Sequence, residues 1–186
     1  MKVVKWLLIV VVLLVLLGVF VGMPYMQKQT KKHSPETTTT YSKDGFDLKV
    51  VYSSPSKKDR VIFGELVPYG KDWRTGANEP TTFTSANDIT INGKNLTAGT
   101  YSLWTIPRAT NWDVIFNSKV PDWGVTILSG GAKTTREPAS DVVTTNVPVQ
   151  SLGTPLENFT INFEKGNQLM LNLAWDKTKV SLPISK

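Results

Sequence analysis

FTINFEKGNQLMLNLAWDKTKVSLPISK, residues 159–186, alternates apolar and polar side chains over most of its length. Phe159, Ile161 and Phe163 are spaced by Thr160 and Asn162; Leu169, Leu171, Leu173 and Trp175 by Met170, Asn172 and Ala174; Val180, Leu182 and Ile184 follow at the same interval. A period of two sends successive side chains to opposite faces of a strand, so each run predicts a strand with one buried face. Lys165-Gly166-Asn167 supplies turn chemistry between the first two runs, and Asp176-Lys177 leads into the third. The expectation is a three-stranded antiparallel meander.

The same pattern extends upstream. Phe46, Leu48, Val50 and Tyr52 alternate with Asp47, Lys49 and Val51. Ile89-Thr90-Ile91 runs into Asn92-Gly93, the dipeptide best suited to the positive φ angles of a type I′ hairpin turn. GTYSLWTI (99–106) and WDVIFN (112–117) predict two further strands, the first central, because its Tyr101/Leu103 and Trp104/Ile106 faces are both partly apolar. After residue 43 no i, i+3, i+4, i+7 pattern lasts three turns, so helix should be scarce. Together these features predict an all-β fold, an antiparallel β-sandwich that is jelly-roll-like or a flattened barrel, forming one domain over residues 44–186.

Ahead of that domain, WLLIVVVLLVLLGVFVGM (6–23) is apolar or glycine throughout and spans about 27 Å as a helix. Residues 1–24 are therefore expected to be one N-terminal transmembrane helix, an uncleaved anchor; the alternative is a signal peptide, for which the run is long and lacks a small-x-small site. Residues 25–43, with lysines, glutamines, Ser34-Pro35 and Thr37–Thr40, read as a flexible tether. The net charge of +6 arises almost wholly before residue 34, from Lys2, Lys5, Lys28, Lys31 and Lys32 with no acid among them. The rest of the chain is close to neutral, so nucleic acid is not an expected partner, whereas the membrane is. With no cysteine and a single histidine, His33, thiolate chemistry, disulfides, a Ser-His-Asp triad and a multi-histidine metal centre are excluded. No calcium-loop spacing appears, and no cofactor or metal is expected.

Residues 60–85, RVIFGELVPYGKDWRTGANEPTTFTS, break the alternation. Tyr69, Lys71, Trp73, Arg74, Asn78 and Glu79 concentrate charge, amide and rings between two prolines, and with Trp104 as a stacking wall they are the candidate ligand-binding residues. Arginine suits a planar anion, asparagine and glutamate suit hydroxyl or amino groups, and tryptophan suits a sugar face. The structural alternative pairs Arg74 with Glu79, uses Trp73 to plug the sandwich and has Asn78 cap a turn.

Residues 53–84, together with ITINGKNLTAGTYSLWTIP and WDVIFN, resemble a bacterial family of exported proteins catalogued as a domain of unknown function, and W-R-T-G-A-N-E at Trp73–Glu79 carries most of the likeness. The resemblance implies a β-rich domain outside the cytoplasm of bacteria with an outer membrane, and it implies no activity. It places the domain in the periplasm, held at the inner membrane or released after cleavage. This chain departs from the family in its long anchor and in Ser53-Ser54-Pro55, where an arginine-proline pair is usual. The function expected is a non-catalytic binding module for a small polar or carbohydrate-like ligand, such as a sugar, peptide or cell-wall fragment. The alternatives are a protein-protein assembly domain of the envelope and an acid/base carbohydrate-active enzyme using two of Glu65, Asp72 and Glu79.

Overall fold

An unbroken apolar run can satisfy its own backbone polar groups as a helix, and the chain takes that course. The computed structural model describes residues 2–126 and 129–186. It divides into a helical unit ending at His33 and a β unit, Ser34–Lys186. In the first, α1 (Lys2–Leu17) passes through a π turn at Gly18–Gly22, where the Met23 N–H reaches the Gly18 carbonyl, into α2 (Met23–His33). The stretch Val3–His33 is long and apolar enough to cross a membrane. Helix thus continues into residues expected to be tether, and Lys31 and Lys32 lie in its last turn, where cations complement the helix dipole.

The second unit contains β1 (Glu36–Tyr41), β2 (Leu48–Ser53), β3 (Thr81–Ser85), β4 (Ile89–Ile91), β5 (Lys94–Leu96), β6 (Gly99–Pro107), β7 (Asn111–Asn117), β8 (Asp141–Lys165) and β9 (Leu169–Ser185). They form one open antiparallel sheet in the order β1-β2-β3-β6-β7-β8-β9-β4-β5. The sheet folds over on itself, as the ring contacts between its halves show: Tyr52 of β2 meets Phe159 of β8 at 5.8 Å, edge to face. The expected antiparallel all-β class is the observed one. The Asn92-Gly93 turn takes positive φ at both residues and pairs Ile91 with Lys94, as a type I′ hairpin requires.

Three local expectations are corrected. β1 lies within the residues read as tether, and all six of its residues pair with β2, from Glu36 with Ser53 to Tyr41 with Leu48. Threonine favours a pleated edge, and the Tyr41 ring anchors this strand against Phe46 and Phe163. The C-terminal meander is instead a single hairpin of two long strands. Asp176 opposes Leu156 at a shift of register and takes a φ of 51°, so the residue read as a turn is a bulge that lets β9 run on. β8 likewise begins well before the Phe159 run; its first half pairs with β7 and its second with β9, and Asn158 also bridges Ser56.

Buried side chains from both halves fill the space between them, including Val50, Phe83, Leu103, Phe116, Leu171, Leu173 and Leu182. At one end a ring cluster closes the core: Trp73 stacks on Trp175 at 6.1 Å and meets Phe159 at 5.0 Å, and Phe63 meets Trp112 at 4.9 Å. The far face of β6 and β7 is covered as well. Trp104 and its cross-strand partner Ile115 are buried there, and Ser102 and Asn117 donate to the Lys119 and Glu137 carbonyls.

Candidate functional site

Trp73 enters the sheet by backbone before it does so by side chain. Its N–H donates to the Thr105 carbonyl at 2.8 Å and the Thr105 N–H returns a bond at 2.9 Å, which makes a one-residue extra strand beside β6. The indole then drops into the ring cluster and donates its N–H to the Gly76 carbonyl at 3.0 Å. Thr75, at a φ of 56° and wholly buried, bonds Thr105 through its hydroxyl, and its carbonyl accepts from the Thr81 hydroxyl at 2.5 Å. Asn78, at a φ of 59°, donates to the Ser34 carbonyl and the Ser53 hydroxyl. Trp73, Thr75, Gly76 and Asn78 therefore fix the path of this segment and turn inward.

Arg74 does something different. Its side chain is largely buried, yet Nε has no hydrogen-bond partner and no charged group compensates the burial. Burial alone, with no compensating charge, pulls its pKa down from the ordinary arginine value. Arg74 and Glu79 line different cavities. The side chain lies flat on Gly124, where a Cβ would come within 2.2 Å of the Arg74 Cδ; no other residue leaves that room. The remaining arginines all have acceptors: Arg60 bonds the Ser56 and Lys57 carbonyls, Arg108 pairs with Asp113, and Arg136 pairs with Asp72 and Asp141.

Arg74 lines a cleft of about 630 Å³ between residues 66–74 and the later segment containing Val125 and Gly131–Thr134. Leu66, Val67, Trp73 and Val125 give this cleft an apolar wall, and Lys71, Asp72, Arg74 and Lys133 give it charge. A neighbouring recess of about 440 Å³ shares Lys71, Asp72 and Lys133 and adds Arg136. Asp72 is the one acid on either wall, and Arg136 holds it at 2.9 Å while also gripping Asp141. Although burial pulls the Arg136 pKa down, these two carboxylates outweigh it and raise the value.

Of the candidate residues, the structure brings Lys71, Trp73 and Arg74 to this cleft. Tyr69 is exposed and its ring lies over Gly64, outside the cleft lining. Asn78 is buried, its side-chain amide spent on Ser34 and Ser53, and Glu79 lines a separate cavity of about 350 Å³ with Glu36 and Asp122. Trp104 is no stacking wall: it is wholly buried and donates its N–H to the Ser102 hydroxyl at 2.7 Å. The carboxylates Asp72 and Glu79 thus belong to different cavities, and Glu65 lines neither. Sequence reading missed Lys133, Arg136 and Gly124, which are distant in the chain and carry no motif of their own.

An unpaired buried charge has a measurable cost. Arg74→Met is expected to stabilise the ligand-free domain by about 1–2 kcal/mol, since replacing a desolvated charge by an apolar chain of similar length removes its solvation penalty. Scanning calorimetry should show a rise in Tm of roughly 2–4 °C per kcal/mol for a domain of this size; a fall would show that the guanidinium supports the fold.

The fold and cleft define a β-rich domain preceded by an apolar helix. The chain belongs to the family described as "Protein of unknown function (DUF2911)", which it matches over residues 34–184. That match starts at the boundary between the two structural units and includes β1. No curated protein and no solved structure matches the chain.

Proposed function

We propose that this protein is a membrane-anchored ligand-binding module whose domain faces the periplasm and receives a small molecule in the cleft beside Trp73 and Arg74. The observation that carries this reading is the cleft itself, whose volume of about 630 Å³ is in the range of small-molecule sites and whose wall is apolar with a few charged groups. The segment that forms one side is pinned by buried Trp73, Thr75 and Asn78, so that wall is pre-formed and a ligand need not order it. The apolar helix supports tethering; Lys2 and Lys5 before the apolar run favour a cytoplasmic N-terminus, Lys28, Lys31 and Lys32 after it pull the other way, and the resemblance to exported proteins tips the balance towards a domain outside.

A thermal-shift screen of the detergent-solubilised full chain against sugars, amino acids, peptides and peptidoglycan fragments tests this reading. A compound at 100 times its Kd should add about 2.7 kcal/mol, a shift of several degrees. Ala132→Trp, which places a large ring on the exposed rim of the cleft, should abolish the shift without lowering Tm. If no compound shifts Tm, or if Ala132→Trp leaves every shift intact, the cleft is not the site.

A further inference from the structure

We infer that the cleft selects ligands carrying an oxyanion, a carboxylate or a phosphate group, and that the Arg74 guanidinium is the group that receives it. The inference rests on the reading of this cleft as a ligand site and adds the chemistry of what enters.

Three independent features of the cleft point to an anion. First, Arg74 is a largely buried cation with no charged partner compensating its burial, and its Nε–H, itself closed to solvent, is left without a hydrogen-bond partner. Buried guanidinium groups are ordinarily paired, because an unpaired one forfeits hydration and gains nothing in return. Arg136, whose side chain is 11% exposed, follows that rule, held by Asp72 and Asp141. Second, the two adjoining recesses are lined by Lys71, Arg74, Lys133 and Arg136 with Asp72 as the acid; Arg136 is shared between Asp72 and Asp141, so that trio is net negative by one charge and Lys71, Arg74 and Lys133 more than offset it. The walls therefore keep an excess of positive charge in a partly desolvated space, where Coulomb attraction to an anion is stronger than at an open surface. Third, Arg74 is held ready. The Trp73 bonds to Thr105 on one side and the Thr81 N–H to the Arg74 carbonyl at 3.1 Å on the other fix its backbone, while bare Gly124 leaves its aliphatic stem a seat. A guanidinium fork presented from a fixed backbone suits the planar geometry of a carboxylate and the oxygens of a phosphate. Val67, Trp73 and Val125 line the same cleft, so the anion should sit at one end of a molecule with an apolar body.

Four simple probes test the charge requirement on the full chain in detergent at matched ionic strength: hexanoate, hexyl phosphate, inorganic phosphate and uncharged hexanamide. Thermal shift gives affinities, and the Arg74 Nε–H resonance in a nitrogen-proton NMR spectrum reports contact with the guanidinium. Hexanoate or hexyl phosphate should bind at least about tenfold more tightly than hexanamide, as a charge-assisted hydrogen bond predicts, and should move the Arg74 signal. Which of the two gains more separates a carboxylate from a phosphate ligand, and inorganic phosphate shows whether the apolar body is needed. Arg74→Met should abolish the preference for the anion while folding cooperatively, and Arg74→Lys should keep part of it, having the charge without the fork. Equal binding of hexanamide and hexanoate overturns the inference while leaving the cleft a ligand site, as does a preference that survives in Arg74→Met. If no probe binds, or an anion binds without moving the Arg74 signal, the assignment to Arg74 is wrong.

Discussion

Trp73→Ala should remove about 3–5 kcal/mol of stability, the largest loss expected from any single change near the cleft. The indole is 7% exposed and touches Phe63, Trp112, Phe159 and Trp175, so truncation opens a ring-sized void where the two halves of the sheet meet. It also frees the Gly76 carbonyl, which the indole N–H now satisfies. Since a domain of this kind has only about 5–15 kcal/mol in total, urea unfolding should show a midpoint shifted far to low denaturant, or a chain already partly unfolded in water. Trp73→Phe, which keeps a ring and loses the hydrogen bond, should fall between. A midpoint unchanged in Trp73→Ala would mean that the cluster is held by its other members and that Trp73 is free to serve a ligand.

Gly76→Ala is expected to cost about 3 kcal/mol from two sources that add. Gly76 has a φ of +146°, a conformation in which a side chain is strained by about 1–3 kcal/mol, and a Cβ there would lie 2.8 Å from the Ser53 carbonyl oxygen, a backbone atom of β2 that cannot swing aside. Gly70→Ala is the control. Its φ of +71° carries a similar conformational penalty, but nothing lies within 4 Å of the added carbon, so about 1 kcal/mol should be lost. Comparing the two by thermal melts separates the backbone term from the clash; equal losses would show that β2 can give way.

These two residues show how far the site could be read from the chain. The concentration of ring and charge at Trp73–Glu79 stood out against the alternation around it, and its irregularity is real: Thr75, Gly76 and Asn78 all take positive φ. Which of these groups would turn inward was not legible, because Ser34, Ser53, Thr105 and Gly124 decide it, and all are remote in sequence. Hairpins were legible where the turn is local, as at Asn92-Gly93. The early half of β8 was missed because its buried row includes Thr145, 4% exposed between Val143 and Val147, so the apolar period is broken by a residue that is polar in composition and buried in fact. Asp176 misled for a related reason: an aspartate that tolerates positive φ serves a bulge as readily as a turn, and only the partner strand distinguishes them.

The strand order sets a schedule for the chain's assembly. The β4-β5 hairpin forms from neighbours in sequence, but it joins the sheet only through β9, by the pairing of Thr90 and Ile91 with Ser185 and Ile184. A strand delivered late must therefore slot between one made long before it and β8. Until it arrives, Ile89, Ile91 and Leu96 have no Leu182 or Ile184 to meet, and the inner face of the other half lacks its cover. A chain made from its N-terminus must therefore be almost whole before its core can close, and until then its apolar strands stay exposed to any chaperone or protease nearby.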